Sequence, residues 1–591
     1  MSIGLALAEL RSAPADTLKF GFRNRRAAIP SAEELMTLPL HFKPVKCANV
    51  NFLADNFLND YASKRVRHLL ELLEFNPKAP GHRPPEQFQM PDAHADQLLQ
   101  MGVLEDLGHI SDVKMSSVNT MLYFCVKELR ESGARLRPIM WPKSILELSD
   151  YVSQHVLHRV DEYRRMCLIG GEAATFDLAA SFWQVPLPKH SRLCCVTQSG
   201  RVVRMTRMPY GVDVASEVMH IITSGLAGDP RYSKPTPGVR SSDFDKSCAV
   251  HVDNAFFAGP SGRVLADQFC SRCKASGIQL NTEVGNAFSP VQKFVGMVLD
   301  LEHHTVRLKD GYGHDLDINN VDTFEDFERV MGKVIYAGTV LGVDWSKMHF
   351  LFKQYRRLLA RCASEPSVWS SQVKLWDFSR SELSEVLDTI KVNAPVRVLP
   401  SVLESSMEEP DIIIASDATP FSFGGVFMRR GAVPVAFGGA FPHELEINHA
   451  ETVAAACMLA RFAPEIDLLS KASGRPCRVL LRIDNTSARQ RIVNADRPSA
   501  ISVDSMAKGI LGMAHEHGFL LAAEYIGTHV NPADAVSRQR EPDMRLVEDV
   551  MNDAWGRKEV WNLGDTCVWV EGGSVRAAPT NHCASHRARN P

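Results

Sequence analysis

Ile412-Ile413-Ile414-Ala415-Ser416-Asp417 is an apolar run that ends on a carboxylate, and Val479-Leu480-Leu481-Arg482-Ile483-Asp484 repeats the pattern further along the chain. A short run of aliphatic residues reads as a buried strand, so each aspartate falls where a strand meets solvent. Glu451 lies on the helical stripe of Ile447, Ala454, Ala455 and Met458, and Asp534 sits in Asn531-Pro532-Ala533-Asp534-Ala535. A carboxylate at the edge of apolar structure is costly unless its charge is compensated. Four that converge point to a divalent cation held through oxygen, as Mg²⁺ prefers. Simpler explanations stand beside this one. Glu451 fits a buried acid paired with a local arginine, and Asp484 fits the N-cap of a helix starting at Asn485-Thr486-Ser487-Ala488.

Working outward, 591 residues are too many for one core and imply several units. Hydrophobic residues at 45% and charged residues at 23% are ordinary for globular protein. The net charge of −3 gives no overall electrostatic support for nucleic-acid binding, so such a role must rest on local basic surface. Lys353, Arg357 and Arg361, spaced at i, i+4 and i+8, supply one such stripe, which is equally an ordinary solvated face. Thirteen cysteines without a framework read as reduced thiols, and the lone Cys270/Cys273 pair reads as two thiols on one helix face rather than a zinc site. Residues 1–10 lack a basic segment, Glu9 interrupts their apolar stretch, and no run approaches the ~18 apolar residues of a membrane span. The expectation is an intracellular protein of cytoplasm or nucleus, with no membrane partner.

A second acidic pair lies upstream. Phe176-Asp177-Leu178 closes an apolar strand, and Ala249-Val250-His251-Val252 runs into Asp253-Asn254 and out through Ala255-Phe256-Phe257-Ala258, a hairpin with an acidic tip. Two strand-end aspartates brought together suit the metal pair that phosphoryl transfer uses.

The order of the downstream acids (strand Asp, helix Glu, strand Asp, loop Asp) resembles the RNase H family. Met208-Pro209-Tyr210-Gly211-Val212, Leu280-Asn281-Thr282-Glu283, Lys293-Phe294-Val295-Gly296-Met297 and Met331-Gly332-Lys333-Val334-Ile335-Tyr336-Ala337-Gly338 resemble successive motifs of reverse transcriptases, in order. The whole, covering roughly residues 115 to 540, resembles the reverse transcriptase–RNase H of DIRS-like retroelements, including the VIPER type. The resemblance implies an α+β multidomain fold, with right-hand polymerase fingers, palm and thumb followed by an RNase H-like α/β domain. The boundaries it implies are an N-terminal extension and Pro-rich linker over 1–110, fingers and palm over 111–305, thumb and connection over 306–405, RNase H-like domain over 406–545, and a partly disordered tail over 546–591.

The resemblance also implies roles. Asp177 and Asp253 would bind Mg²⁺, with Mn²⁺ as an alternative, for DNA synthesis, and the Leu178 carbonyl would add a ligand. Asp417, Glu451, Asp484 and Asp534 would bind the same cation for RNA cleavage, with His529 assisting product release. Phe182 matches a steric gate against ribonucleotides, though an ordinary core aromatic also fits. Tyr210 belongs to the nucleotide- and template-contacting motif, in which Gly211 would let backbone approach the incoming base pair. Arg137, and Lys127 as a second candidate, would neutralise the triphosphate, although either also fits a surface charge. The implied partners are an RNA template, a DNA primer, dNTPs and an RNA–DNA hybrid, with recombinase and capsid proteins of the element on other chains.

Two departures bear on activity. The family's hairpin usually reads Tyr-x-Asp-Asp, whereas this chain has His251-Val252-Asp253-Asn254; Asn254 offers an amide oxygen without charge. The lysine expected after Leu-Asn-x-Glu is Val284. The leading expectation is an RNA-directed DNA polymerase with RNase H activity. The alternative is an RNase H-type nuclease whose decayed polymerase half binds hybrid, and a third is a nucleic-acid-binding protein with neither activity.

Overall fold

The computed structural model describes residues 30–40, 45–130, 133–146, 151–155, 157–235, 244, 246–281, 287–314, 316–404, 407, 409–495, 505–556, 568–571 and 574–577. The chain divides into two compact units, one of 1–341 with 354–399 and one of 342–353 with 400–591.

At the centre of the first unit, β1 (Ala173–Asp177) pairs antiparallel with β3 (Asn254–Ala258), which pairs with β2 (Cys248–His251). Helices α1 (Asp213–Ala227) and α2 (Gly259–Ser276) pack on this small sheet. The chain order β1–α1–β2–β3–α2 follows from the sequence. Away from the turn, Cys248–Val250 of β2 and Ala255–Ala258 of β3 are apolar because both faces are buried, and a two-residue turn between His251 and Asn254 returns the chain antiparallel. Phe176, Phe257 and Phe269 meet edge-on or tilted at 5.5–5.7 Å between centroids. Burying rings of this size stabilises the sheet–helix contact by roughly 2 kcal/mol each.

An antiparallel ribbon, Leu122–Arg130 with Gly133–Trp141, belongs to the same unit. So does a four-stranded antiparallel sheet of Val291–Phe294, Met297–Asp300, Thr305–Leu308 and Val396–Arg397. The segment expected as an extension and linker is instead part of the first core. Leu53, Leu58, Val66, Leu69 and Leu98 are buried in the cluster that holds Phe176 and Phe257. The amphipathic stripe of Val66 and Leu69 needed a partner, and the α1 helix provides it.

In the second unit, seven strands lie in the order β8 (Phe519–Tyr525), β7 (Cys477–Ile483), β4 (Ile412–Ala418), β5 (Ser422–Arg429), β6 (Val435–Ala440), β9 (Val568–Glu571), β10 (Ser574–Ala577). β4 is parallel to β7 and antiparallel to β5. Both faces of β4 are covered, which explains its uninterrupted isoleucines. Ile412 and Ile414 face a cluster with Met458, Leu459 and Phe462 of helix α3 (Ile447–Ser473), joined by α4 (Thr486–Ala495) and α5 (Ser505–Glu516). Ile413 and Ala415 face the opposite cluster with Val536 of α6 (Ala533–Ser537) and Val547, Val550 and Trp555 of α7 (Met544–Trp555). The α7 helix therefore belongs to this core, and the expected boundary at 545 lies too early. Residues 568–571 and 574–577, expected in a tail, extend the sheet as a strand pair; 557–567, 572–573 and 578–591 lie outside the described residues. The fold is α+β and multidomain, as the sequence led us to expect, and its second unit is a mixed seven-stranded sheet with helices on both faces.

Candidate functional site

Each unit carries one group of carboxylates at a sheet end. In the first, Asp177 is the last residue of β1 and the register partner of Asn254. His251 pairs with Asn254, so Val252-Asp253 is the two-residue turn. Val252 takes φ +55°, a left-handed conformation that β-branched residues resist. The Asp253 carbonyl accepts from the Leu178 N–H at 3.1 Å, which ties the turn to the end of β1. Its carboxylate is held on both oxygens, Oδ2 accepting from Ser181 Oγ at 2.7 Å and Oδ1 from the Asn254 amide at 3.0 Å. The Asn281 amide donates to Asp177 Oδ2 at 3.3 Å, and its backbone N–H to the Asp177 carbonyl at 2.7 Å. Hydrogen bonds of this kind fix the orientation of a carboxylate. Ser181 and Asn281 were not singled out for this role; one lies between Asp177 and Phe182, the other inside a quoted motif, and neither signals its contact in sequence.

The other candidates of this unit sit as follows. Phe182 is half-buried, with its ring edge-on to Tyr210 at 5.0 Å. The Arg137 guanidinium lies 5.4 Å over the Tyr210 ring and pairs with Glu128 at 2.7 Å. Lys127 pairs with Glu34 at 2.5 Å. Both cations are thus already compensated within the chain, by partly exposed pairs of the kind that exchange readily. Gly211 has φ +103°, and a Cβ there would stand 2.9 Å from Ile139 Cγ2 and 3.1 Å from the Met140 carbonyl oxygen. The close approach that requires glycine is therefore to the Gly133–Trp141 strand. Thr282, Glu283 and Val284 lie outside the described residues. Lys353, Arg357 and Arg361 are exposed on the His349–Ser364 helix, where Arg357 covers the Trp376 ring at 5.3 Å.

In the second unit, Ser416 and Ile483 are register partners, so Asp417 and Asp484 leave neighbouring parallel strands at one level. Glu451, in the second turn of α3, completes a cluster in which one oxygen of each acid lies within 4.8 Å of the others. Asp417 and Glu451 are only 5% and 4% exposed. No basic residue pairs with Glu451 among the described residues, and its buried Oε2 has no hydrogen-bond partner. Burial, with the charges of Asp417 and Asp484, pushes the Glu451 carboxyl up to about 9, against the Ala418 N–H that favours its anion. Burial also raises Asp417 to about 6, where the Ser537 hydroxyl opposes the shift and Asp484 and Asp534 add to it. An orphaned buried oxygen in an all-oxygen group of three acids fits a hard divalent cation. It is the one such group among the described residues, and Cys270 and Cys273 join none.

Asp534 is not part of that three-acid group; its Oδ1 is paired with Arg538 at 2.6 Å. Asp484 is not the helix N-cap, because Asn485 Oδ1 accepts from the Ala488 N–H at 3.0 Å. Asn485 also donates to Asn448 at 3.2 Å, which joins the Asp484 strand end to the helix of Glu451. His529 is exposed on the Thr528–Val530 turn. Ser537, whose hydroxyl donates to Asp417 Oδ2, was not anticipated.

No protein-family model matches the chain, and no curated protein matches it. Solved structures similar to it include foamy virus protease–reverse transcriptases. One in complex with double-stranded DNA has 15% identity over 83% of each chain and a TM-score of 0.41. Another DNA complex has 14% identity over 83% of this chain and 99% of that one, at 0.39. A complex with RNA/DNA hybrid has 15% identity over 82% and 64%, at 0.38. These are low identities and imply nothing about this chain's substrates. Among the described residues, no helix is long and apolar enough to cross a membrane.

Proposed function

We propose that this chain is a retroelement reverse transcriptase with RNase H activity, of the DIRS-like or VIPER kind. It would copy RNA into DNA from a primer and dNTPs, then degrade the RNA strand of the hybrid. The observation that carries the reading is that each unit builds its own carboxylate group at a sheet end, Asp177 with Asp253 and Asp417 with Glu451 and Asp484.

Those five residues would hold Mg²⁺, or Mn²⁺ in its place, with Asp534 joining the second group on release from Arg538. When bound, the cation stabilises the charge on attacking and leaving oxygens of an in-line displacement. The chain's own part is orientation. Ser181 and Asn281 hold the two upstream carboxylates, and downstream the Asn448–Asn485 bond ties the end of the Asp484 strand to the helix of Glu451. Phe182 and Tyr210, whose rings meet edge-on at 5.0 Å, would meet the sugar of the incoming nucleotide.

A second reading, a nuclease with a decayed polymerase half, draws on Asn254. It brings no charge to the hairpin and spends its amide on Asp253 Oδ1. The two readings part in one experiment, dNTP incorporation on a poly(rA)–oligo(dT) template with Mg²⁺ or Mn²⁺ beside D177A. Incorporation that D177A abolishes supports the bifunctional enzyme. None with either metal, from chain that still cuts hybrid RNA, supports the second reading.

A further inference from the structure

The short helix α6 carries the fourth acid, Asp534, and it is fastened to β4 at Ser416 and at Asp417 from its two ends. On one side the Asn531 amide donates to the Ser416 carbonyl at 3.1 Å, and on the other the Ser537 hydroxyl donates to Asp417 Oδ2. Ser537 is fully buried. Its own carbonyl accepts from Ser422 Oγ at 2.6 Å. The helix can lie this close because β5 carries Gly424, where a Cβ would collide with the backbone of Val536 and Ser537.

A serine hydroxyl has one proton to give. Ser537 Oγ has two acceptors in reach, the Asp417 carboxylate and the Asp534 carbonyl at 3.0 Å. The carboxylate is the stronger acceptor. The proton therefore fixes one oxygen of Asp417 and leaves the other for a cation. Docking of the helix does not need this bond, since the Ser537 carbonyl and Asn531 already anchor it.

We infer that Ser537 is a positioning residue for cation binding at the downstream site, acting by holding the Asp417 carboxylate in its ligating orientation. This rests on the nuclease reading above. Loss of a hydrogen bond to a ligating group commonly weakens metal binding by about 10-fold or more.

The test compares S537A and S422A in the full chain. S422A removes a docking bond of the same residue but leaves the hydroxyl on Asp417. The readouts are the Mg²⁺ concentration for half-maximal thermal stabilisation without nucleic acid, and for half-maximal hybrid cleavage. S537A is expected to raise both by about 10-fold, with S422A close to wild type and S537C, which keeps a weak donor, in between. Should S537A fail to fold, S537C against S422A decides the question alone. Wild-type Mg²⁺ dependence in the Ser537 variants, or an equal shift in S422A, overturns the inference and leaves Ser537 a docking residue. Wild-type chain with no Mg²⁺ response, and cleavage that survives D484N, would instead bring down the nuclease reading together with it.

Discussion

Asp177 and Asn254 face each other as register partners across the β1–β3 ladder, and this pairing sets Asp253 in the turn beside them. The position that could carry a second turn acid is thus occupied by an amide, which donates to Asp253 Oδ1 at 3.0 Å. Replacing it tests what the amide does. N254D removes a donor and adds a like charge, so without divalent cation it should lower the stability of the first unit by about 1 kcal/mol. In the same variant the Mg²⁺ concentration for half-maximal dNTP incorporation should fall. Denaturant unfolding in EDTA and a Mg²⁺ titration of incorporation measure the two effects. An unchanged Mg²⁺ requirement would mean that Asn254 stands outside the cation site.

Gly211 should be intolerant of a side chain for a reason internal to the fold. A Cβ at φ +103° meets Ile139 and the Met140 carbonyl. G211A should therefore cost about 2–4 kcal/mol in urea unfolding of the first unit, with or without nucleotide. A cost within about 0.5 kcal/mol, combined with a raised KM for dNTP, would return Gly211 to the nucleotide-contact role.

The buried acids of the second unit make a pH prediction. Both Asp417, at about 6, and Glu451, at about 9, bind protons more tightly folded than unfolded. In the window between the unfolded and folded values the native state holds more protons, so stability falls as pH rises. The fall begins at the ordinary carboxylate range of about 4, is steepest from there to about pH 6, where both groups contribute, and continues to about 9 through Glu451 alone. Melting of the chain in EDTA should show this slope, E451Q should remove its upper part, and Mg²⁺ should flatten it by favouring the anions. A slope identical in wild type and E451Q would contradict the burial of an uncompensated acid.

Gly424 governs the downstream site through backbone contact alone. G424A should push α6 off β5, reducing hybrid cleavage by about 100-fold or more while leaving dNTP incorporation intact. Cleavage near the wild-type rate would show that the α6 position is not required.

What the sequence disclosed depended on how local the signal was. Asp417 and Asp484 announced themselves because each ends an aliphatic run, and parallel register then brings them level. Glu451 was legible from helical periodicity, and the Asp177 and Asp253 strand ends from strand and turn patterns. The orienting groups were not. Ser181, Asn281 and Ser537 act through contacts spanning 72, 104 and 120 residues, and a serine or asparagine has no pattern that predicts such a partner. The placement of Leu53, Val66 and Trp555 in cores was likewise hidden, because an amphipathic stripe shows that a partner exists and not where it lies.

Two separable carboxylate sites in one chain mean two activities that can be lost one at a time. The decisive measurement follows dNTP incorporation and hybrid-RNA cleavage side by side, with Mg²⁺, on wild type, D177A and D484N. D177A is expected to lose incorporation and keep cleavage, and D484N to do the reverse. Either variant retaining both activities, or wild type showing neither, would contradict two separable sites.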